Sequence, residues 1–229
     1  MRPVGSWLAG VAATFCVVLG VSGCGSIGEA QQVVDRARLV NDLAERLSQA
    51  GELTYLADYQ LSGGGLATIA QAQHPLRAAY TYPGGKLMIT PDATTTCTGA
   101  ACTLTGPPTP GADATTGLLA IVGPRGLVPP TAVVGLLTAA SLSANAVISQ
   151  HDTTIAGVHA TCVDVSGVEN APASAFTACI TSDGVLGSFH GTLTGTAMTV
   201  SLVRYRDTVS ADAFDVPAGA TVVDKRAGR

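Results

Sequence analysis

The sequence predicts an α+β fold: one large, curved antiparallel sheet, a half-open barrel, with an N-terminal helix and with central helices that cover its concave face. Three observations predict it. An amphipathic helical pattern opens the mature chain, two long stretches alternate apolar and polar residues, and an apolar, proline-interrupted segment separates those stretches. Because a curved antiparallel sheet needs an apolar cover on one face, the central segment is expected to supply it.

The first element is a helix that begins near Ser26 and ends before Gly51. Ser26 and Glu29 form a capping box, in which each side chain satisfies a free backbone amide at the start of a helix. Apolar residues then recur at steps of three and four, and the opposite face is not enriched in Lys or Arg. We therefore expect this helix to pack on its own domain through Val33, Ala37, Val40, Leu43, Ala44 and Leu47.

Two meanders of antiparallel strands follow from the two-residue alternation. Glycine- and proline-containing turns separate the strands, and Phe214 and Val216 are expected to pin a last extended stretch ahead of a charged tail. The strands are predicted over residues 53–61, 66–73, 76–82 and 86–90, and then over 153–156, 159–165, 176–181, 185–192 and 197–206.

The central segment, residues 112–149, carries only Asp113 and Arg125 among many apolar residues. Breaks at residues 123–126 and at Pro129-Pro130 exclude a membrane-spanning helix of about 20 uninterrupted apolar residues. The pattern predicts a short apolar turn over residues 118–122 and a helix from Pro129 or Pro130 to about Ala144. Both are expected to lie against the sheet.

The N-terminus has the features of a lipoprotein export signal. Arg2 precedes an apolar run that is too short to span a bilayer, and Val21-Ser22-Gly23-Cys24 follows it directly. This motif resembles the lipobox of bacterial lipoproteins. The resemblance implies that residues 1–23 are removed, that Cys24 is acylated, and that the protein is anchored to the extracytoplasmic face of the cell membrane.

The mature chain, residues 24–229, has about 200 residues, which suits a single domain. Its net charge is slightly negative, because the whole chain carries a formal charge of −4 that includes Arg2. A negative net charge does not favour binding to nucleic acid. The residues after Cys24 also contain no basic cluster that would bind anionic lipids. The excess of Arg over Lys and the abundance of Ala, Gly, Thr and Val hint at an actinobacterial source.

Four cysteines remain after the signal peptide and Cys24 are set aside. Three pairings are possible, and nearest-neighbour pairing is the simplest: Cys97 with Cys102 and Cys162 with Cys179. The first pair brackets a four-residue loop at the mouth of a predicted hairpin. A zinc site is the alternative, but the spacing lacks paired C-x2-4-C knuckles, so we expect two disulfides and no metal.

No catalytic constellation is expected. The sequence has no nucleophile elbow, phosphate-binding loop or zinc-protease motif, and it implies no cofactor. Ser188 and His190 lie on one face of a predicted strand, but no acid or oxyanion hole accompanies them. His74, His151 and His159 lack metal-ligand spacing. We therefore expect a protein that is not an enzyme.

The lipobox, the element order and the closing Phe214-Asp215-Val216-Pro217-Ala218-Gly219-Ala220 together resemble the LolA-like family, and within it the mycobacterial LppX, LprA, LprF and LprG lipoproteins. The resemblance implies a carrier or chaperone that holds acyl chains between the sheet and the helices. The ligand site would then be lined by apolar residues of the central segment, which are Leu118, Leu119, Ile121, Val122, Val133, Leu136, Leu137 and Leu142.

Two hypotheses therefore follow from the sequence. The first is a lipid or hydrophobic-ligand carrier, and the second is an anchored accessory module that holds an unknown protein partner without any ligand cavity. A cavity-lining leucine and a core-filling leucine look alike in a sequence, so the volume between the helices and the sheet decides between them.

Overall fold

The computed structural model describes residues 24–108 and 112–226. The predicted signal peptide, residues 1–23, lies outside the described residues. Cys24 is the first described residue, and its backbone opens the first helix.

Three helices lie among the described residues. They are α1 (Cys24–Gln49), α2 (Ala112–Val122) and α3 (Pro130–Leu142). Helix α1 begins two residues before the predicted capping box, a difference typical of helix ends. Helix α2 is a full helix, whereas the sequence predicted only a short turn over residues 118–122. The prediction missed its first half because that half is rich in Ala and Thr and carries no apolar periodicity.

One twelve-stranded sheet makes up the rest of the fold, and it stays open. The spatial order of its strands is β12-β6-β5-β4-β3-β2-β1-β11-β10-β9-β8-β7. Their bounds are β1 (Tyr55–Leu61), β2 (Leu66–Gln73), β3 (Leu76–Tyr82), β4 (Gly85–Ile89), β5 (Thr94–Thr98), β6 (Ala101–Thr105), β7 (Val147–Ile155), β8 (Val158–Ser166), β9 (Phe176–Thr181), β10 (Leu186–Leu193), β11 (Thr196–Arg206) and β12 (Thr221–Asp224).

The main core lies between the sheet and the helices. Strand β1 shows the alternation most clearly, because every second residue from Tyr55 to Leu61 is buried. Helix α1 contributes Val40, Leu43 and Leu47 to the same cluster. It runs antiparallel to α3, since Leu47 lies near the start of α3 and Ala37 lies near its end. The predicted α+β architecture, with helices against one face of a large sheet, is confirmed.

The C-terminal segment differs from its prediction. In place of a last extended stretch ahead of a charged tail, a 3-10 turn over Ala211–Phe214 leads to β12, which pairs parallel with β6. The sheet is therefore antiparallel at every pair except this one. The four residues of β12 show no apolar–polar alternation and gave no strand signal, and β12 forms because β6 offers it a free edge.

A second, smaller cluster explains how the C-terminal segment is held. Phe214 packs on the face of the sheet opposite the helices, against a group of buried residues, and the Arg77 guanidinium lies 4.1 Å from its ring centre. Lys86 Nζ donates a hydrogen bond to the Asp215 carbonyl oxygen at 2.6 Å. Phe214 thus pins the segment as expected, whereas Val216 stays 42% exposed. The group consists of Ala70, Ala79, Met88, Cys97 and Cys102.

Strand β7 also differs from its prediction, because it begins at Val147 and not near residue 153. It lies at the far edge of the sheet, and only Ile148 is buried along it. A strand that is polar on both faces gives no two-residue alternation, so its first six residues had no strand signal.

Candidate functional site

The residues predicted to line a ligand site are mostly packed core. Leu118, Val122, Val133, Leu136 and Leu137 are buried in the main cluster. Leu119 and Ile121 are half-buried against it. Leu142 does not face the interior: it is 81% exposed, because α3 ends at this residue. The space beneath α3 is therefore filled by the side chains of the protein itself.

Open space lies instead on either side of α2. The first opening, here called the tyrosine cleft, has a volume of about 230 Å³ and lies between the end of α1, the start of α3 and strands β1 to β3. Tyr55 and Tyr80 form its floor. Its remaining lining is Leu47, Ser48, Ala50, Gly51, Gln71, Thr115, Pro130, Thr131 and Val134.

Two phenol groups contribute to the polar lining of the tyrosine cleft. Neither the Tyr55 nor the Tyr80 hydroxyl has a hydrogen-bond partner among residues 24–108 and 112–226, whereas the nearby Tyr59 hydroxyl donates to the Leu186 carbonyl oxygen at 2.9 Å. Burial raises the pKa of Tyr80 to about 12 and raises that of Tyr55 still further. Both phenols therefore stay protonated at neutral pH, and both are available to donate a hydrogen bond to a ligand oxygen.

The second opening, here called the methionine cleft, also has a volume of about 230 Å³ and lies between α2 and the turn that joins β10 to β11. Leu193 and Met198 are buried at its floor, and Leu119 is half-buried in its wall. None of the described residues that line it is charged. The other lining residues are Thr116, Ala120, Gly123, Pro124, Thr194 and Thr196.

Helix α2 separates the two clefts and is held by few side chains. Of residues 115–122, only Leu118 and Val122 are buried. The chain then turns at Gly126, whose φ of +84° favours glycine, and the axes of residues 115–125 and 130–142 meet at 114°. Among the described residues no single helix is long and apolar enough to cross a membrane.

The histidines lie apart from both clefts, on the sheet surface or its edge. The Nδ1 atom of His190 lies 2.9 Å from the Thr199 hydroxyl, and His151 lies 3.2 Å from an Asp164 oxygen. Ser188 is opposite Cys179 and has no hydrogen bond to His190. In the part of the chain that the structure describes, no three His, Cys, Asp or Glu side chains are placed to share a metal ion.

Both disulfides favoured by the sequence are present. Cys97–Cys102 joins β5 to β6 with a Cα–Cα distance of 4.0 Å, and Cys162–Cys179 joins β8 to β9 with 3.9 Å. Each links directly opposed residues of neighbouring strands. Disulfides of this kind form and persist outside the cytoplasm, so the protein belongs to an oxidising, extracytoplasmic compartment.

Comparison with known proteins gives no family assignment. No protein-family model matches the sequence, and no curated protein matches it. Among solved structures the chain is similar to MucB, with 12% identity, a TM-score of 0.44, and coverage of 80% of this chain and 64% of the other. The complex of MucA and MucB from Pseudomonas aeruginosa is similar with 13% identity and a TM-score of 0.44, and the match covers 80% of this chain and 63% of the other. PNGF-II is similar with 9% identity and a TM-score of 0.36, and the match covers 76% of this chain and 32% of the other. The chain spans less than two thirds of each of these solved chains.

Several residues of the clefts were not singled out in the sequence. Tyr55 and Tyr80 were placed on strands, and Leu193 and Met198 had no assigned role. A usable signal exists for the tyrosines, because the alternation puts both on the buried face, where a phenol hydroxyl needs a partner. For Leu193 and Met198 no such signal exists, since they are ordinary apolar strand residues.

Proposed function

We propose that the protein is an acyl-anchored, extracytoplasmic lipoprotein that binds a lipid or another hydrophobic ligand beneath α2 and serves as a carrier or chaperone, not as an enzyme. The anchor rests on the lipobox that ends at Cys24, and the carrier role agrees with the resemblance to LolA-like lipoproteins. Membership of that family is part of the proposal.

One observation carries the proposal: an apolar helix, of whose described side chains at residues 115–122 only two are buried, lies between two clefts of about 230 Å³ each. Either cleft alone is smaller than the ligand pockets of roughly 300–1,000 Å³ found in proteins. An outward movement of α2 would join them into one site of that size. Binding therefore depends on this helix and leaves the core beneath α3 unchanged.

The two clefts assign different parts of a ligand to different places. The Tyr55 and Tyr80 hydroxyls would donate hydrogen bonds to oxygens of a polar head group. The hydrocarbon chain would lie across Leu193 and Met198, where no charged side chain would have to be desolvated. A ligand with one polar oxygen-bearing end and an apolar chain matches this arrangement.

The first experiment measures binding directly. The mature chain with Cys24→Ser is titrated with a fatty acid that carries an environment-sensitive fluorophore. We expect saturable binding, a loss of binding on Leu119→Asp, and weaker binding on Tyr55→Phe or Tyr80→Phe. The matched control is Tyr59→Phe, because the Tyr59 hydroxyl is satisfied inside the core and does not face the cleft.

Absence of probe binding, or equal binding by wild type and Leu119→Asp, would overturn the carrier function. The alternative would then be the anchored accessory module. The edge strand β7 favours it, because its side away from β8 is able to pair with a strand of another protein. The anchor is tested separately: Cys24→Ala should move the protein from the membrane to the soluble fraction of its host, and intact-mass measurement should lose the acyl increment.

A further inference from the structure

The two edges of the sheet are treated differently. At one edge β12 adds a parallel strand to β6, and Lys225 extends this pairing with a hydrogen bond from its backbone amide to the Leu104 carbonyl oxygen at 2.7 Å. At the other edge lies β7, nine residues long, whose only strand partner within residues 24–108 and 112–226 is β8. Strand β12 thus covers one edge, whereas no described strand pairs with the outer side of β7.

The hairpin turn fixes which backbone groups of β7 are free. Ala156 and Gly157 form a two-residue turn with φ values of 51° and 80°, so the flanking pair Ile155 and Val158 is hydrogen-bonded. Every second pair follows the same pattern, which turns the amides and carbonyls of four residues away from β8. These four are Ile148, Gln150, Asp152 and Thr154.

The disulfide provides an independent check of this assignment. Cys162 and Cys179 have a Cα–Cα distance of 3.9 Å, which is that of a pair without mutual hydrogen bonds. The backbone groups of Cys162 must then point toward β7, where its partner is His151. His151 therefore bonds to β8, and its neighbours Gln150 and Asp152 point outward. No described residue forms a hydrogen bond with these outward backbone groups.

Strand β7 has few of the usual devices that prevent edge pairing, and Asp152 is its one acidic residue. It contains no proline, no lysine and no bulge, since its register with β8 is continuous over all nine residues. Val147 is 60% exposed, although it is a large apolar residue at the start of a strand. Residues Ser149 to Thr154 are exposed, so this stretch is able to accept another strand, whereas Ile155 packs beside Gly187 of β10.

We propose that the occupant of this edge is β7 of a second copy of the chain, paired antiparallel about a two-fold axis at His151. In this register all nine residues pair. Val147 faces Ile155 of the second copy, Ser149 faces Thr153, and the Gln150 amide faces the Asp152 carboxylate. The outward groups of Ile148 and Thr154 and those of Gln150 and Asp152 meet as hydrogen-bonded pairs, and the two sheets join into one.

The neighbouring registers are worse. A shift of one residue places outward groups opposite residues whose groups already bond to β8. A shift of two in one direction places Asp152 opposite Asp152, with like charges face to face. A shift of two in the other direction leaves Thr154 and Ile155 without partners. The full-length register is therefore the one in which facing residues of the two β7 strands are complementary. This pairing of two chains does not depend on ligand binding beneath α2.

The register is tested by disulfide trapping with the mature chain carrying Cys24→Ser. Gln150→Cys and Asp152→Cys chains are mixed under mild oxidation. Their Cα atoms would lie about 5.5 Å apart across the axis, whereas identical positions would lie roughly 9 Å apart, too far for a disulfide. We expect a covalent dimer from the mixture and little from either chain alone.

Sedimentation tests the association itself. Gln150→Pro removes one outward amide and leaves the bonds to β8 intact, so the dimer should weaken at least about tenfold. Gln150→Ala keeps the amide and should leave the dimer unchanged. The proposal is overturned if the Cys24→Ser chain is monomeric up to millimolar concentration, if the single-cysteine chains cross-link as well as the mixture, or if crosslinking in the host joins β7 to a different protein.

Discussion

Helices α2 and α3 are neighbours of similar apolar composition, yet the structure holds them very differently. Helix α3 buries five residues and lies against both the sheet and α1, whereas residues 115–122 of α2 bury two and lie between two clefts. The five are Ala132, Val133, Leu136, Leu137 and Ala140. The difference teaches that an apolar segment is firmly held only where a second helix closes the space beside it.

The strongest test of this comparison is a charge placed in each helix. Leu136→Asp should destabilise the fold by more than about 4 kcal/mol, because Leu136 is 2% exposed and lies within the apolar main core. Leu119→Asp, on the half-buried side of α2, should cost about 1 kcal/mol and leave the protein folded. Urea unfolding measures both. Equal losses would contradict the idea that α2 is the weaker cover.

Alkaline pH offers the next largest effect. Burial raises the pKa values of Tyr55, Tyr59 and Tyr80 in the folded protein above the unfolded value near 10, so the stability they contribute is complete below pH 10 and is lost as the pH rises through about 12. Between pH 8 and pH 11 the free energy of unfolding should fall by about 4 kcal/mol, because each of the three phenols contributes about 1.4 kcal/mol.

Denaturant titrations at the two pH values check this expectation. Tyr80→Phe should remove the contribution of one phenol to the pH-dependent loss of unfolding free energy and leave the contributions of Tyr55 and Tyr59 unchanged. A free energy of unfolding that stays constant from pH 8 to pH 11 would show that the tyrosines beneath the helices are not buried as the structure has them.

Removing single hydroxyls separates the core from the cleft. Tyr59→Phe should cost about 1 kcal/mol, because it breaks a buried hydrogen bond and leaves the Leu186 carbonyl without its donor. Tyr80→Phe should leave the melting temperature nearly unchanged, since its hydroxyl has no partner among the described residues. Thermal unfolding distinguishes them, and a large loss on Tyr80→Phe would reveal a hydrogen bond that the tyrosine cleft is not expected to contain.

The smallest effect is expected at the end of α3. Leu142→Ser should change stability by less than about 0.5 kcal/mol and should leave probe binding intact, because the side chain is almost fully exposed. The matched change Leu137→Ser, five residues earlier on the buried face, should cost several times more. Comparable losses from the two changes would mean that Leu142 has a packing partner.

Much of the fold could be predicted because its signals are local. Period-two alternation identified β1 to β4 and β8 to β11, and the Pro129-Pro130 break placed the start of α3. The signals failed where residues have no buried face to report, as at the start of β7, or where a four-residue strand depends on the edge that receives it, as for β12. Those features are set by partners distant in sequence.

The site was less predictable for a related reason. The sequence indicated which segment covers the sheet, but not which of its apolar residues fill the core and which line a gap. Leu136 and Leu119 carry the same side chain, and only the position of α1 beside α3 makes one of them core. The open phenols of the tyrosine cleft likewise depend on which carbonyl happens to lie near each hydroxyl, as Leu186 does for Tyr59.

Helix α1 runs without a break from Cys24 to Gln49, and Leu47, near its far end, lines the tyrosine cleft. The rise from Cys24 to Leu47 is roughly 35 Å, more than the hydrocarbon thickness of a bilayer. An acyl group on Cys24 would therefore be joined to the sheet through a rigid helix and not through a flexible linker. If Cys24 is acylated as proposed, an upright α1 would hold the tyrosine cleft far from the lipid surface, and a tilted α1 would bring the cleft close to it.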